Sequence, residues 1–539
     1  MGPVHDEGRF QRDIADEMVA SGGWQQRPAS EVDRASRLLV DDLIGYLRDT
    51  QPAAVEKFAG VAGAGWQQQL AEIVAKDLDK EPGRALGLLR GGKKVRGGVR
   101  FSFCQFKPAN DLNAELVAAY DANRLSVVLE APVRKPDGTW GEVDVTLFVN
   151  GIPVADAELK NSLTGQSVKQ AVRQYRHDRD SGDTLLSYRS VVHFAVDTDA
   201  VMMATRLTGA TTRFLPFNRG SSADGADGAG NYDPGDGSHK TSYLWRLVWQ
   251  RDNWLDLLHR FVHVEPAAPA DADSSTQMIF PRFHQWDAVR RLEADARQRG
   301  AGHSYLVAHS AGSGKSNTIG WLAHRLTGLT DPGGTQRVFD KVIVITDRRV
   351  LDAQLSATVE QFEHASAAGK VVSVDSSREL ADALVRPSTR IVVSTLQKFP
   401  FAAQLDAIRD VSGGRFAVLI DEAHSSQSGE SAKQMKQVLT LDDLGEDEQG
   451  AMAAEEGGDY EVDPVAEAVA ASAAARGRPD NVSLFAFTAT PKGKTLELFG
   501  TPGADGKLRA FHLYSMRQAI EEGFILDPLK NYTTYATFW

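Results

Sequence analysis

Ser304-Tyr-Leu-Val-Ala-His-Ser-Ala-Gly-Ser-Gly-Lys-Ser-Asn317 decides the fold of the second half of the chain. An apolar strand pattern at 305–308 runs into a glycine-interrupted turn, and an apolar helix pattern (Ile319, Trp321, Leu322) follows. That order is the build of a phosphate-binding loop. Gly312 and Gly314, with Ser313 between them, let the backbone curl so that amide hydrogens point inward around an anion. Lys315 then sets a point charge near the β- and γ-phosphates, and Ser316 offers a hydroxyl to Mg²⁺. His309 stands where the strict GxxxxGK[ST] pattern has its first glycine.

Downstream, four more apolar runs each end in a polar string. The run 341–346 leads into Asp347-Arg-Arg349, and 390–394 into Thr395-Leu-Gln-Lys398. The run 416–420 ends in the DEAH box Asp421-Glu-Ala-His424, and 483–487 in Thr488-Ala-Thr490-Pro491. In the DEAH box Asp421 can hold the Mg²⁺ that bridges the phosphates, while Glu422 can polarise the attacking water. His424 would link that site to neighbouring loops. Each string alone is ordinary strand-end chemistry. Their order, each after an apolar strand, predicts a mostly parallel α/β sheet with a nucleotide at its strand ends. Residues 441–480 are acidic, then alanine-rich, and read as an unpacked insertion.

A chain of 539 residues accommodates about two to four domains. With 42% hydrophobic and 24% charged residues it falls in the globular class. One cysteine, Cys104, excludes a disulfide framework and fits a reducing cytoplasm. The first ten residues carry acids and no apolar core, so no signal peptide is expected. No apolar run reaches the roughly 18 residues of a membrane helix. A net charge of −12 argues against a globally basic nucleic-acid binder, yet DNA contacts depend on local basic surface. Arg90-Gly-Gly-Lys-Lys-Val-Arg-Gly-Gly-Val-Arg100 is one such stretch, and reads equally as a solvated or a phosphate-tracking loop.

In the first half, Phe10, Ile14, Met18 and Val19 recur at helical spacing up to Gly22-Gly23. Further helix patterns cover 31–48 and 66–79, and strand patterns 99–106 and 126–130. Glu142-Val-Asp-Val-Thr-Leu-Phe-Val-Asn-Gly-Ile-Pro-Val-Ala-Asp-Ala-Glu-Leu-Lys160 then reads as a hairpin about Asn150-Gly151. Glu158 and Lys160 share one strand face. A two-residue loop would pair Asp144 with Ala157. A three-residue loop, Asn150-Gly151-Ile152 with a bulge, would pair Asp144 with Glu158 and align all three. The three-residue loop is the expectation, with Pro153 opening the second strand. Asp144 and Glu158 could then hold Mg²⁺ for phosphodiester hydrolysis, with Lys160 orienting water or neutralising the developing anion. The plainer reading is a solvated strand with an ion pair. Farther on, 220–238 reads as a flexible loop. A tryptophan-rich helix at 242–262 would place Trp245, Trp249 and Leu257 in the core rather than as a base-stacking platform, and 265–275 reads as a linker.

Asp144, Val149-Asn-Gly-Ile-Pro153 and Glu158-Leu-Lys-Asn161 resemble the nuclease domain of type I restriction enzyme R (HsdR) subunits, of the PD-(D/E)xK class. Phe106-Lys-Pro-Ala-Asn110 and Phe194-Ala-Val-Asp-Thr-Asp199 resemble it too, as does Tyr514-Ser-Met-Arg-Gln-Ala-Ile-Glu-Glu-Gly-Phe-Ile525. The family's helical Gln-xxx-Tyr motif is matched by Gln170 and Tyr175 with one extra residue between them. On a regular helix Gln170 and Gln174 share a face and Tyr175 turns away. Gln11 lies near the place of an acidic residue in the family's first helix, with Glu7 a stand-in. Around the phosphate loop the likeness is to superfamily 2 motors, which commonly relax the position of His309. There the glutamine corresponding to Gln285, in Pro281-Arg-Phe-His-Gln-Trp-Asp287, reads adenine, although a polar helix start would look the same. The likeness also implies DNA-backbone contacts after 346 and 394, and coupling of hydrolysis to movement by Thr488, Ala489 and Thr490.

The resemblance implies an α/β chain in two domains. A PD-(D/E)xK endonuclease domain with a mixed sheet flanked by helices takes 1–264, with a linker at 265–275. The first RecA-like domain, with its mostly parallel sheet, takes 276–539. It further implies ATP-driven translocation of double-stranded DNA, Mg²⁺-dependent cleavage, and methyltransferase (M) and specificity (S) subunits as partners. Only the first half of the family's length is matched, so a second RecA-like domain and a C-terminal assembly region are expected to be absent. Weak ATP binding and no translocation by the chain alone would follow. A stand-alone helicase–nuclease of DNA repair, or a fragment that only binds DNA or partners, would share these motifs.

Overall fold

A computed structural model of the chain describes residues 7–161, 165–222, 228–266, 276–346, 370–374, 377–395, 414–421, 480–503 and 505–527. The chain divides into two compact units, one of 1–223 with 229–283 and one of 224–228 with 284–539. The fold is mixed α/β, with a seven-stranded sheet in each unit. No helix among the described residues is long and apolar enough to cross a membrane.

In the first unit the seven strands lie in chain order. They are β1 (Gln25–Arg27), β2 (Leu125–Arg134), β3 (Trp140–Val149), β4 (Ile152–Leu159), β5 (Val192–Val196), β6 (Val201–Ala204) and β7 (Leu215–Pro216). The pairs β1–β2 and β4–β5 are parallel and the other neighbours antiparallel. Helix Glu7–Ser21 buries Phe10, Ile14 and Met18, while Val19 remains exposed. The helix expected over 31–48 starts only at Val40 and runs to Thr50. Asp33 is the cause: its carboxylate accepts the Ala35 N–H at 2.9 Å and the Ser36 hydroxyl at 3.1 Å, holding a turn that competes with helix. The strand expected over 99–106 is confined to Val99–Phe101. The tryptophan-rich segment breaks at Gln250, whose side chain caps a new helix through the Asp252 and Asn253 amides. Trp245, Trp249 and Leu257 are all buried, as the core reading requires.

The hairpin corrects the expected loop. The turn has two residues, Asn150 at φ 50 and Gly151 at φ 77, flanked by the pair Val149–Ile152. Asn–Gly with both φ positive is the two-residue turn whose twist matches antiparallel strands. A Cβ on Gly151 would lie 2.2 Å from the Leu39 carbonyl oxygen, so glycine is required there twice over. The extra residue sits inside the strand instead. Leu147 pairs with Ala155 but Phe148 with Pro153, leaving Val154 as the bulge. Pro153 cannot donate to the ladder, which makes this a cheap place to interrupt it. Beyond the bulge Val145 pairs with Ala157, and the same register sets Asp144 opposite Glu158. The expected alignment is reached by a different route.

In the second unit the strands are β8 (Ser304–His309), β9 (Lys341–Thr346), β10 (Lys370–Ser373), β11 (Thr389–Thr395), β12 (Phe416–Ile420), β13 (Val482–Thr488) and β14 (His512–Tyr514). They run parallel throughout, in the order β10-β11-β9-β12-β13-β8-β14. A parallel sheet covered on both faces needs near-continuous apolar strands, and Val342–Ile345 and Ala417–Ile420 are fully buried. The insertion expected at 441–480 lies, but for its last residue, outside the described residues, as does 267–275.

Candidate active sites

Register in the first unit places two ranks of polar side chains on one face of the sheet. Asp144 on β3 and Glu158 on β4 form the first. Asp144 Oδ2 accepts the Leu159 N–H at 2.6 Å, and Oδ1 accepts Gln11 Nε2 at 3.0 Å. The helix-borne Gln11 thus reaches the residue that an acid at its place would have repelled. Glu158 is completely buried, and its Oε1 accepts Arg179 Nε at 2.6 Å. Arg179 also donates to the Glu142 carbonyl at 2.5 Å. Glu158 Oε2 is buried and has no hydrogen-bond partner. Burial pushes the Glu158 carboxyl well above the ordinary range; Asp144 adds to the rise, while Arg179 and Lys160 oppose it. Lys160 directly follows β4, 9% exposed, its amide bonded to the Val196 carbonyl at 2.8 Å.

The second rank lies two residues back along β4. Asp156 accepts the Tyr175 hydroxyl at 2.5 Å, and His193 Nδ1 stands 2.8 Å from its other oxygen. Tyr175 leaves helix Val168–Arg173 in a π turn, Gln174–Asp178, and is buried. Gln170 is exposed, and its side-chain oxygen accepts the Ser167 amide at 2.8 Å, capping that helix. The two motif residues therefore face different ways, as their spacing predicts, and only Tyr175 approaches the carboxylates. Arg179 was missed in the sequence. It is the extended residue just past the π turn, φ −111, and no local periodicity pointed to it.

A divalent cation is the group this site would take, and the residues present fit one. A buried carboxylate oxygen without a partner, facing a second carboxylate from the adjacent strand, has a deficit that a cation would fill. No group of three or more His, Cys, Asp or Glu side chains that could hold a metal occurs among the described residues. Two carboxylates are nevertheless a usual protein contribution for Mg²⁺, which keeps several of its waters.

In the second unit β8 runs into the phosphate loop and helix Lys315–Thr327. Gly312 and Gly314 adopt φ 69 and 76, the left-handed turns that bring amides inward. His309 needs no glycine's freedom, because it is still a strand residue, paired with Tyr514 of β14. Its buried ring stands 2.9 Å from His512 Nδ1, and His512 Nε2 is 3.3 Å from Asp287. Burial raises the Asp287 carboxyl, but His512 and Arg290 outweigh it and hold it well below the carboxylate range. His284 Nε2 lies 3.0 Å from the Ser313 carbonyl, and Gln285 Nε2 donates to the Gly314 carbonyl at 2.9 Å. The glutamine thus braces the loop. Lys315 Nζ lies 3.4 Å from the His309 carbonyl, with Ser316 beside it at the helix start.

Asp421, buried, follows the end of β12, its amide on the Ile345 carbonyl at 2.9 Å. Thr488 ends β13 and accepts the Thr490 N–H at 3.2 Å, with Ala489 between them. The phosphate loop, Asp421 and Thr488 thus share the carboxyl edge of one parallel sheet, where such sheets bind ligands. Glu422, His424, 347–349 and 396–398 lie outside the described residues. The basic stretch 90–100 turns out to be largely engaged. Arg90 holds the Val262 carbonyl at 2.5 Å, Lys93 pairs with buried Asp77 at 2.6 Å, and Lys93–Val95 forms a short hairpin with Val99–Phe101.

Two families match successive parts of the chain. Residues 12–212 match the type I restriction enzyme R protein N terminus, and 284–442 the SWI2/SNF2 ATPase. Among curated relatives, an endonuclease subunit of a type I restriction enzyme from Staphylococcus aureus strain COL is 24% identical over 467 residues, covering 83% of this chain and 41% of that protein. The HindI endonuclease subunit from Haemophilus influenzae is 25% identical over 358 residues, covering 63% of this chain and 32% of its own length. The chain therefore spans well under half the length of these relatives. A solved fragment of an HsdR subunit from Vibrio vulnificus YJ016 aligns over 74% of this chain and 56% of its own at 14% identity, with a TM-score of 0.28.

Proposed function

We propose, for a chain that is HsdR-like in both of its parts, that it acts as the restriction and motor subunit of a type I restriction system. The first unit would cut duplex DNA and the second would use ATP to move along it. The observation that carries the nuclease reading is the bulge at Val154, which turns Asp144 and Glu158 onto one face with Glu158 Oε2 left open. A Mg²⁺ held by these two carboxylates would supply Lewis acidity and an activated water at the phosphodiester. Gln11 and the Leu159 amide fix Asp144, and Arg179 fixes Glu158 by its other oxygen. Lys160 would orient the water or neutralise the charge that develops on the phosphorane.

In the second unit Gly312, Ser313 and Gly314 would cradle the phosphates of ATP, with Lys315 at their charge and Ser316 and Asp421 on its Mg²⁺. Glu422 would polarise the attacking water, with His424 beside it. Thr488 to Thr490 would couple hydrolysis to movement, and Gln285 would reach adenine by exchanging its bond to Gly314. M and S subunits would supply site recognition. No feature of either unit favours the stand-alone repair reading over this one.

The test uses the chain with M and S subunits on circular plasmid carrying their site. Lys160→Ala should abolish cleavage while DNA-stimulated ATP turnover persists, and Lys315→Ala should abolish both. Cleavage at the parental rate by Lys160→Ala would remove the nuclease assignment.

A further inference from the structure

Trp140 opens β3, four residues before Asp144 on the same face, or about 13 Å along the strand. That face is closed at Thr146 and Phe148, which are buried, but open from Asp144 back through Glu142 to Trp140. Three guanidinium groups gather over the Trp140 ring. The Arg134, Arg37 and Arg34 carbons lie 4.1, 4.5 and 5.2 Å from its centroid. Arg134 is the direct cross-strand partner of Trp140 on β2.

The three arginines play unequal parts. Arg37 is buried and paired with Asp183 at 2.7 Å, so its charge is largely compensated. Its backbone sits at φ 62, a strained setting for a side chain with a Cβ, and such strain gathers where a site over-determines it. Burial lowers the Arg37 guanidinium pKa; Arg134 and Arg189 lower it further, and Asp183 opposes them. Arg34 and Arg134 are exposed, and neither has a carboxylate within ion-pair distance among the described residues. Arg134 is steadied by the Gly138 carbonyl at 2.7 Å. Glu142 is the acid exposed between this cluster and Asp144. Gathering like charges on one ring is unfavourable by itself, and all the more notable in a chain of net charge −12. Cation–π attraction to the Trp140 ring holds the guanidinium groups together, where they could meet a ligand with several oxygens.

We propose that the Trp140–Arg34–Arg134 cluster binds backbone phosphates of the duplex that enters the nuclease centre, a step or more away from the bond to be cut. The proposal rests on the nuclease reading above and names the surface that would lay DNA along β3 towards Asp144. Backbone contacts of this kind set position without reading sequence.

The experiment measures binding of a short fluorescent duplex to the full chain by anisotropy, with Ca²⁺ in place of Mg²⁺, across a salt series. Variants are Arg34→Ala/Arg134→Ala, the charge-retaining Arg34→Lys/Arg134→Lys, and Lys160→Ala as a cleavage-dead reference. Both arginines are exposed, so thermal melting should be unchanged. The double alanine variant should weaken binding roughly tenfold at low salt and reduce the slope of log K against log salt by about 1.8, two phosphate contacts' worth. The double lysine variant should keep most of the slope. In the plasmid assay with M and S subunits, the KM for DNA should rise more than kcat falls. Parental slope and KM in the double alanine variant would overturn the proposal. So would parental DNA binding combined with lost M or S subunit binding, which would assign the patch to a protein partner. If the parent binds no Mn²⁺ that Asp144→Asn or Glu158→Gln weakens, it is the nuclease reading that fails.

Discussion

Glu158 sits where its charge is least welcome, fully buried and opposite a second carboxylate, with Arg179 on one oxygen only. Its folded pKa is raised, burial being the main cause. A carboxyl of that kind keeps its proton in the folded chain at pH values where the unfolded chain has released it. Stability without metal is therefore greatest below the ordinary glutamate value and falls as pH rises towards the raised one. Melting in EDTA from about pH 5 to about pH 8 should show the first unit losing stability in the parent. Glu158→Gln should flatten that slope and melt higher at the alkaline end. Parallel curves for the two proteins would show that Glu158 is not the group responsible. That Glu158 and Lys160 share a face was legible from Glu-x-Lys, because strand periodicity is local. Arg179 and the Asp156–His193–Tyr175 rank were not, since their partners are set by how a helix crosses the sheet.

At the level of elements, the hairpin shows where sequence reasoning stops. Asn150-Gly151 signalled the turn, and the need for an odd residue followed from placing two acids on one face. Which residue bulges depended on Pro153 and on pairing with β5, neither of which is a property of the loop. Gly151→Ala tests how firmly that turn is held. It would adopt a disfavoured φ and drive a methyl into the Leu39 carbonyl, so a loss of roughly 2 kcal/mol or more is expected in denaturant unfolding of the first unit. A loss of a few tenths would mean that the chain relaxes freely around residue 151. The phosphate loop was readable almost residue by residue, since glycine placement dictates backbone. His309 was not, because its role depends on His512 about 200 residues later.

Across the whole molecule, each unit carries its own sheet and its own candidate site, so the two proposed chemistries should be separable by single substitutions. Composition and net charge gave no hint of this division; ordered strand-end motifs did. The claim on which the account stands is that Asp144 and Glu158 jointly hold one divalent ion. Titration calorimetry with Mn²⁺ on the full chain, without nucleotide, tests it most directly. The parent should bind one ion at this site, with affinity that rises with pH as Glu158 gives up its proton. Asp144→Asn and Glu158→Gln should each weaken that binding by at least roughly tenfold, while Lys315→Ala leaves it unchanged. Parental Mn²⁺ affinity in both carboxylate variants would contradict the account.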